Sequence, residues 1–375
     1  MKIGIEAQRL FRPHKHGMDI VALELIRALQ LIDNENEYYI FVKPDEDRDC
    51  ISETRNFKIV EIPEFNYVIW EQILLPYYAH KYKLDVLHCT SNTAPLILST
   101  PLILTLHDVI FMEKSTEKNT STSYQKYGNL YRKWLVPKIV KKCKSIITIS
   151  EVEKANIIKT LGLKDEAVTV VHNGVSRRFG IKPSLEVVKE IRAEFGLTDD
   201  YFLFLGNVEP RKNVKNTVKA FVSFADQNPT VKLVITGLKE SFIVDILNKI
   251  NKIELLNRIV LTGFVNDTTL LALYSDAKVF LYPSLREGFG LPILEAMAFG
   301  IPVVTSNISA MPEVAGNAAF IVNPYSVEEI TEGMSISYKN ELLRKEKITL
   351  GYERPSLFTW QKTATKVLDI YQANG

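Results

Sequence analysis

Ser284-Leu285-Arg286-Glu287-Gly288-Phe289-Gly290-Leu291-Pro292-Ile293-Leu294-Glu295-Ala296-Met297-Ala298 reads as a strand end, a glycine loop and a helix start in succession. The apolar run Val279-Phe280-Leu281-Tyr282 before it has the length and composition of a buried strand, and Pro283-Ser284 ends it. Gly288 and Gly290 let the backbone come close to a ligand. Pro292 suits the first turn of a helix, where its missing N–H has no intrahelical partner. The free N–H groups and positive dipole end of that helix favour a phosphate. Glu287 and Glu295 flank the loop. As carboxylates they only accept hydrogen bonds, so beside a phosphate they suit hydroxyl groups. A ligand with both phosphates and hydroxyls is a nucleotide sugar. By pattern alone, however, a strand, a Gly-Phe-Gly turn and an amphipathic helix fit any α/β protein.

Short apolar runs alternate with amphipathic helices along almost the whole chain, the pattern of parallel sheets covered on both faces. Expected strands in the first half are 3–5, 38–42, 57–62, 86–88, 102–106, 145–149 and 168–171, with helices near 19–31, 71–82, 123–143 and 151–161. A fresh series opens at 201–205 and continues at 232–236, 259–262, 279–282, 303–305 and 319–322. Two Rossmann-like halves are expected, residues 1–176 joined by a closing helix 358–375, and residues 177–357. Ligands of such sheets sit beyond the carboxyl ends of the strands, and with two halves facing a central cleft the natural site is that cleft.

The 375 residues are enough for two cores, and 46% hydrophobic with 24% charged residues is an ordinary globular balance. A net charge of +2 argues against a nucleic-acid binder with a broad basic face. Cys50, Cys89 and Cys143 have no metal-ligand spacing and read as reduced thiols in a cytoplasm. Lys2-Ile3-Gly4-Ile5 begins a strand with no apolar signal segment, and no run reaches the length that spans a bilayer.

The first strand end carries Arg9, Phe11, Arg12, His14, His16 and Gly17 but no Gly-x-Gly-x-x-Gly, which weakens a dinucleotide-cofactor reading. His14 and His16 lack a third metal ligand and read as a solvated loop. Asp45-Glu46-Asp47 lies in a highly charged connection and reads as a surface turn rather than a metal-nucleotide motif. His107-Asp108 ends a buried strand, where either a reactive pair or a satisfied core histidine with a capping aspartate fits. Arg211 and Lys212 follow the strand ending at Gly206 and precede a helix, so two cations and a helix start converge, as a solvated pair or as a diphosphate grip. In Ser123–Lys144, Lys126, Arg132, Lys133, Lys138, Lys141, Lys142 and Lys144 interleave with Tyr127, Leu130, Tyr131, Trp134 and Leu135. That segment fits an anionic membrane surface or a core-facing helix with a solvated basic face.

Glu287, seven intervening residues and Glu295, followed by Ala296-Met297-Ala298-x-Gly300-x-Pro302-Val303-Val304, closely resembles the signature of family 4 of the GT-B glycosyltransferases. The resemblance implies a retaining, metal-independent transferase that needs no cofactor and moves a sugar from a nucleotide diphosphate to a hydroxyl. It implies that Arg211 and Lys212 hold the diphosphate near Gly206, and that Glu287 with the backbone of Gly288, Phe289, Gly290 and Leu291 orients the donor sugar. Glu295 would accept from the ribose hydroxyls, and backbone near Val265 would meet the base. Gly17 would lie by the donor phosphate and His107-Asp108 by the donor sugar and acceptor, although many members carry a glycine pair where this chain reads His16-Gly17-Met18. The family also has a tryptophan like Trp360 on a last helix that crosses back to the first domain. No side chain stands out as a nucleophile, which fits the family proposal that the acceptor attacks from the face the diphosphate leaves.

Arg286 to Pro292, with Ser306-Asn307-x-Ser309-Ala310-Met311-Pro312-Glu313-Val314, looks most like bacterial mannosyltransferases of O-antigen and capsule synthesis. That implies GDP-mannose as donor, with a UDP-sugar as the alternative, and a lipid-linked glycan as acceptor. A dehydrogenase could use two such halves, but the first loop lacks the glycine fingerprint. A two-lobed sugar-binding protein would need no catalysis.

Overall fold

The computed structural model describes residues 1–64, 66–113 and 123–375, with the side chains of 123–126 outside that description. It divides into two compact units, Met1–Gly174 with Thr359–Gly375, and Val175–Phe358.

The first unit contains strands β1 (Lys2–Glu6), β2 (Glu37–Val42), β3 (Phe57–Glu61), β4 (Val86–Cys89), β5 (Leu102–Thr105), β6 (Ser145–Thr148) and β7 (Val168–Val170). They pair in parallel in the order β3-β2-β1-β4-β5-β6-β7. Successive side chains of a strand point to opposite faces, so a near-continuous apolar strand feeds two cores. Tyr38, Ile40 and Val42 join Ile3 and Ile5 in one cluster, while Tyr39 and Phe41 join Leu87 and Leu104 in the other. The helices are α1 (Gly17–Ile32), α2 (Tyr67–Ile69), α3 (Leu75–Lys81), α4 (Ser123–Ile139) and α5 (Glu151–Leu161). Asn66 caps α2 by accepting from Val68 N and Ile69 N, and a π-helical turn, Trp70–Leu74, joins α2 to α3. Ser150 caps α5 by accepting from Glu153 N, the role its position before Glu151 predicts. α4 stops at Ile139, short of the expected Cys143.

The second unit repeats the plan with β8 (Tyr201–Leu205), β9 (Lys232–Thr236), β10 (Ile259–Gly263), β11 (Val279–Tyr282), β12 (Val303–Ser306) and β13 (Phe320–Val322), in the order β10-β9-β8-β11-β12-β13. Its helices are α6 (Leu185–Glu194), α7 (Val214–Ala225), α8 (Glu240–Lys249), α9 (Asp267–Asp276), α10 (Leu291–Ala298), α11 (Met311–Ala315), α12 (Val327–Lys339) and α13 (Glu341–Leu357). Each sheet reverses strand order once, beside its first strand, between β1 and β4 and between β8 and β11. That reversal leaves a crevice at the carboxyl ends of the two strands, the place where open α/β sheets bind ligands.

The last helix, α14 (Trp360–Asn374), belongs to the first unit, where Trp360, Ala364, Val367 and Tyr371 complete the cluster around β1 and α1. Gly174 makes this possible, since a Cβ there would stand 2.2 Å from Trp360 N. No helix among the described residues is long and apolar enough to cross a membrane.

Candidate functional site

In the second unit, the loops after β8 and β11 meet at the strand-order reversal. Gly206 is closely packed, and a Cβ there would fall 2.7 Å from Ile235 Cγ2 and from Leu238 Cδ1, so those side chains would have to shift. The chain then forms a single turn, Pro210–Lys212, and Asn213 adopts φ +58° before α7 begins. Asn213 is buried, and its amide donates to Pro283 O at 2.9 Å and Pro324 O at 2.7 Å. Leu285 N donates to Arg211 O at 2.7 Å. These bonds stitch the two loops together and place both cations beside one carboxylate.

Arg211 Nη1 lies 2.7 Å from Glu287 Oε2, and Lys212 Nζ lies 2.7 Å from Glu287 Oε1. Arg211 Nε also meets Glu209 Oε2 at 2.5 Å, and Lys212 Nζ donates to Tyr282 OH at 3.2 Å. Burial alone would raise the Glu287 carboxyl, but Lys212 and Arg211 outweigh it and hold the group below the usual carboxylate range. Burial works against the Arg211 charge as well, yet Glu287 and Glu209 push its pKa up. The site therefore holds two fixed cations with one buried anion between them, a charge pattern suited to a ligand that carries several negative oxygens.

Gly290 takes φ +110° ahead of α10, a conformation open to glycine, and Pro292 lies in the first turn as its position predicts. Phe289 is buried against Phe358, with ring centroids 5.6 Å apart. Glu295, on the second turn of α10, accepts from Tyr274 OH at 3.1 Å, and burial raises its carboxyl to about 7. Tyr282 connects the two acids: burial raises its hydroxyl, and Glu287 and Glu295 both add to the effect. Arg211, Lys212, Glu287 and Glu295 thus lie together around Tyr282, with Gly206 at the start of the first loop and Gly288–Leu291 in the second.

Val265 follows β10, two strands removed from β8 in the sheet. Gly17, His107 and Asp108 belong to the first unit. Gly17 opens α1 and is exposed, and Asp19 takes up the helix start by accepting from His16 N at 3.0 Å. His107 is buried with Nε2 at 2.8 Å from Thr90 O, and its own N donates to Asn92 Oδ1 at 2.6 Å. A carbonyl can only accept, so Nε2 carries the proton. Burial depresses the imidazole's pKa and favours the neutral form, which leaves Nδ1 as an acceptor. Asp108 Oδ1 accepts from Ile110 N at 3.0 Å, the local turn bond that a capping aspartate makes. No group of three or more acidic, histidine or cysteine side chains suited to a metal ion occurs among the described residues.

Sequence reasoning missed Tyr282, Asn213 and Tyr274. Tyr282 sits at a strand end, the one signal it offered. Asn213 next to an Arg-Lys pair looks like an ordinary helix cap, and its left-handed backbone is invisible without coordinates.

Residues 187–354 match the family described as glycosyl transferases group 1, and residues 16–179 match glycosyltransferase family 4. The second unit thus resembles group 1 glycosyl transferases, and most of the first unit resembles glycosyltransferase family 4. The chain is 29% identical over 233 residues to O-antigen chain mannosyltransferase B of Escherichia coli, a match spanning 61% of this chain and 60% of that one. It is 28% identical over 238 residues to O-antigen chain mannosyltransferase RfbU of Salmonella typhimurium, spanning 63% of this chain and 60% of the other. The matches thus cover less than two thirds of these curated relatives. Among solved structures, Anabaena Alr3699/HepE in complex with UDP and glucose superposes with a TM-score of 0.75 at 17% identity over 100% of both chains. WaaG, a glycosyltransferase involved in lipopolysaccharide biosynthesis, gives 0.71 at 14% identity over 99% of both. At those identities the likeness is one of fold. The two-unit parallel α/β architecture read from the sequence as GT-B is therefore shared with these solved structures.

Proposed function

We propose that the protein is a retaining glycosyltransferase that moves a sugar from a nucleoside diphosphate donor to a hydroxyl of a glycan acceptor. GDP-mannose is the donor and a lipid-linked glycan of surface polysaccharide synthesis the acceptor, in keeping with the relatives named as O-antigen mannosyltransferases. The observation that carries the reading is the Arg211–Glu287–Lys212 cluster at the β8–β11 reversal. An entering diphosphate supplies new acceptors to both cations, and Glu287, released from part of that pairing, accepts from the donor sugar's hydroxyls. Glu295, when ionised, accepts from the ribose. Backbone near Val265 meets the base, Gly17 lies by the phosphates, and His107 accepts a sugar hydroxyl through Nδ1 with Asp108 beside it.

The bond from the anomeric carbon to the phosphate oxygen breaks as the acceptor oxygen bonds to the same face. The acceptor's proton passes to the departing diphosphate. Positioning and charge stabilisation supply most of the acceleration, and no metal or cofactor is required. The protein works in the cytoplasm at the membrane surface.

The test is release of nucleoside diphosphate from a panel of GDP- and UDP-sugars with EDTA present. Turnover of GDP-mannose in EDTA is expected, with Lys212→Ala slower by about 10²–10³ at unchanged melting temperature. Turnover of a UDP-sugar instead would overturn the donor, inhibition by EDTA the metal independence, and wild-type rates for Lys212→Ala the role of the cluster.

A further inference from the structure

Hydroxyls at the end of β12 and just beyond it hold the end of β11 and the loop that follows. Thr305 Oγ1 donates to Tyr282 O at 2.9 Å, Ser306 Oγ to Ser284 O, and Ser309 Oγ to Glu287 O at 2.6 Å. Ser309 does more than its two neighbours. Its oxygen also accepts from Glu287 N at 3.1 Å and from Arg286 Nη1 at 3.2 Å. A hydroxyl has one donor and two lone pairs, so the whole capacity of this one is spent on residues 286 and 287.

The backbone of Ser309 is at φ +58°, the left-handed region where glycine is the default and a side chain is a strain. Glycine would suit the backbone better and would lose all three bonds. A strained side chain that clamps both main-chain groups of Glu287 is explained by what Glu287 does. Its carboxylate must reach Arg211 with one oxygen and Lys212 with the other, both at 2.7 Å, and the loop carrying it has no sheet or helix bonds to fix it. A peptide rotation at 287 would swing the carboxylate off that bridge, and misplacements of about 1 Å cost on the order of 10²-fold in rate.

The geometry points to Ser309 as a positioning residue of the transfer reaction, holding the Glu287 main chain so that its carboxylate stands between the two cations. This rests on the glycosyltransfer reading of the site. It assigns the second unit's β12–α11 connection a part in catalysis without contact to the reacting atoms.

Three variants test it: Ser309→Gly, which removes the hydroxyl and relieves the strain; Ser309→Ala, which removes the hydroxyl alone; and Ser309→Asn, which tolerates the left-handed backbone and offers a new donor and acceptor. For Ser309→Gly, an equal or higher melting temperature is expected together with faster amide hydrogen exchange across 284–290. Its kcat should fall about 10-fold or more while nucleoside diphosphate binds at least as tightly as to the wild type, since a displaced Glu287 competes less for the two cations. Ser309→Ala should show the same fall in kcat, and Ser309→Asn should recover part of the rate. A merely structural serine would instead lower stability, affinity and rate together. Unchanged exchange across 284–290, or wild-type kcat in both the Gly and Ala variants, would overturn the inference. The exchange measurement needs no substrate. A wild-type protein inert toward every donor would therefore sink the glycosyltransfer reading, while exchange still decides whether Ser309 holds Glu287.

Discussion

Glu287 keeps its charge because two cations outweigh its burial, and Glu287 with Glu209 in turn outweighs the burial of Arg211. Removing the carboxylate takes from Lys212 its ion-pair partner and leaves Arg211 with Glu209 alone, at a stability cost of about 3 kcal/mol. An incoming diphosphate would then no longer compete with Glu287. Glu287→Ala is therefore expected to lose turnover but to bind nucleoside diphosphate more tightly, measured by calorimetry; weaker binding would show that the carboxylate contacts the ligand rather than balancing the cations. Glu295 follows a different rule. Its carboxyl is raised from 4.5 to about 7 by burial, so its neutral form favours the fold below pH 4.5 and that contribution is lost as the pH rises to about 7. Up to about 3 kcal/mol is at stake, less because the side chain still touches solvent. Glu295→Gln should accordingly raise the melting temperature at pH 8 and change it little at pH 4.5. If the ionised acid grips ribose, nucleotide affinity in the wild type rises from pH 6 to pH 8, and the Gln variant loses that dependence. The types of these residues and their places at strand ends and helix starts were legible in the sequence. Their pairing was not: Glu287 reads as a hydroxyl acceptor from its motif, and only the stitched loops make it first the partner of Arg211 and Lys212.

At the scale of elements, α4 shows how one sequence pattern served two readings at once. Leu135, Val136, Ile139 and Val140 are buried in the first unit, as a core-facing helix requires. Tyr127, Leu130 and Trp134, spaced to share one side of the helix, are 74%, 64% and 52% exposed. The Lys126 side chain lies outside the described residues. Next to α4, Tyr131 donates to Glu71 Oε2 at 2.5 Å and meets Gln72 at 2.8 Å, which docks the helix on the π-turn. That neighbouring helical run has its own exposed apolar residues, Ile69, Ile73 and Tyr77, four apart. With Lys133, Lys138, Lys141 and Lys142 in the same region, the two apolar sides fit an anionic lipid surface, in line with the peripheral location proposed above. Wild-type protein should float with vesicles containing phosphatidylglycerol and be released by salt. The double variant Leu130→Asp, Trp134→Asp should stay unbound at unchanged melting temperature; equal flotation of both proteins would remove the lipid reading. Strand positions were readable because apolar runs of three to six residues bounded by turn formers, alternating with helical patterns, admit few alternatives. The π-turn at Trp70–Leu74 was not, since an extra residue in a helical turn leaves the apolar spacing only slightly shifted.

For the whole molecule, the consequential feature is that each core is closed by its own chain segments, and the first unit takes its last helix from the far end of the sequence. α14 brings Tyr371 to the centre of that unit, where its hydroxyl meets His88 Nδ1 at 2.7 Å while His88 Nε2 meets Thr105 Oγ1 at 2.7 Å. Burial lowers His88 from 6.5 to about 3, so the imidazole is neutral and both nitrogens need partners. Tyr371→Phe keeps the ring packing and orphans Nδ1, which costs about 1–3 kcal/mol. The loss should appear as faster hydrogen exchange in β1, β4 and β5, with exchange in β8 to β13 unchanged, because the two units have separate cores. His88 also sets an acid limit: its folded pKa lies below the unfolded value, so stability from the neutral ring is present above pH 6.5 and is lost as the pH falls toward 3. In Tyr371→Phe the acid transition of the first unit should therefore move to higher pH. Equal loss of protection in both units would mean instead that they unfold as one, and that α14 couples them rather than completing only the first.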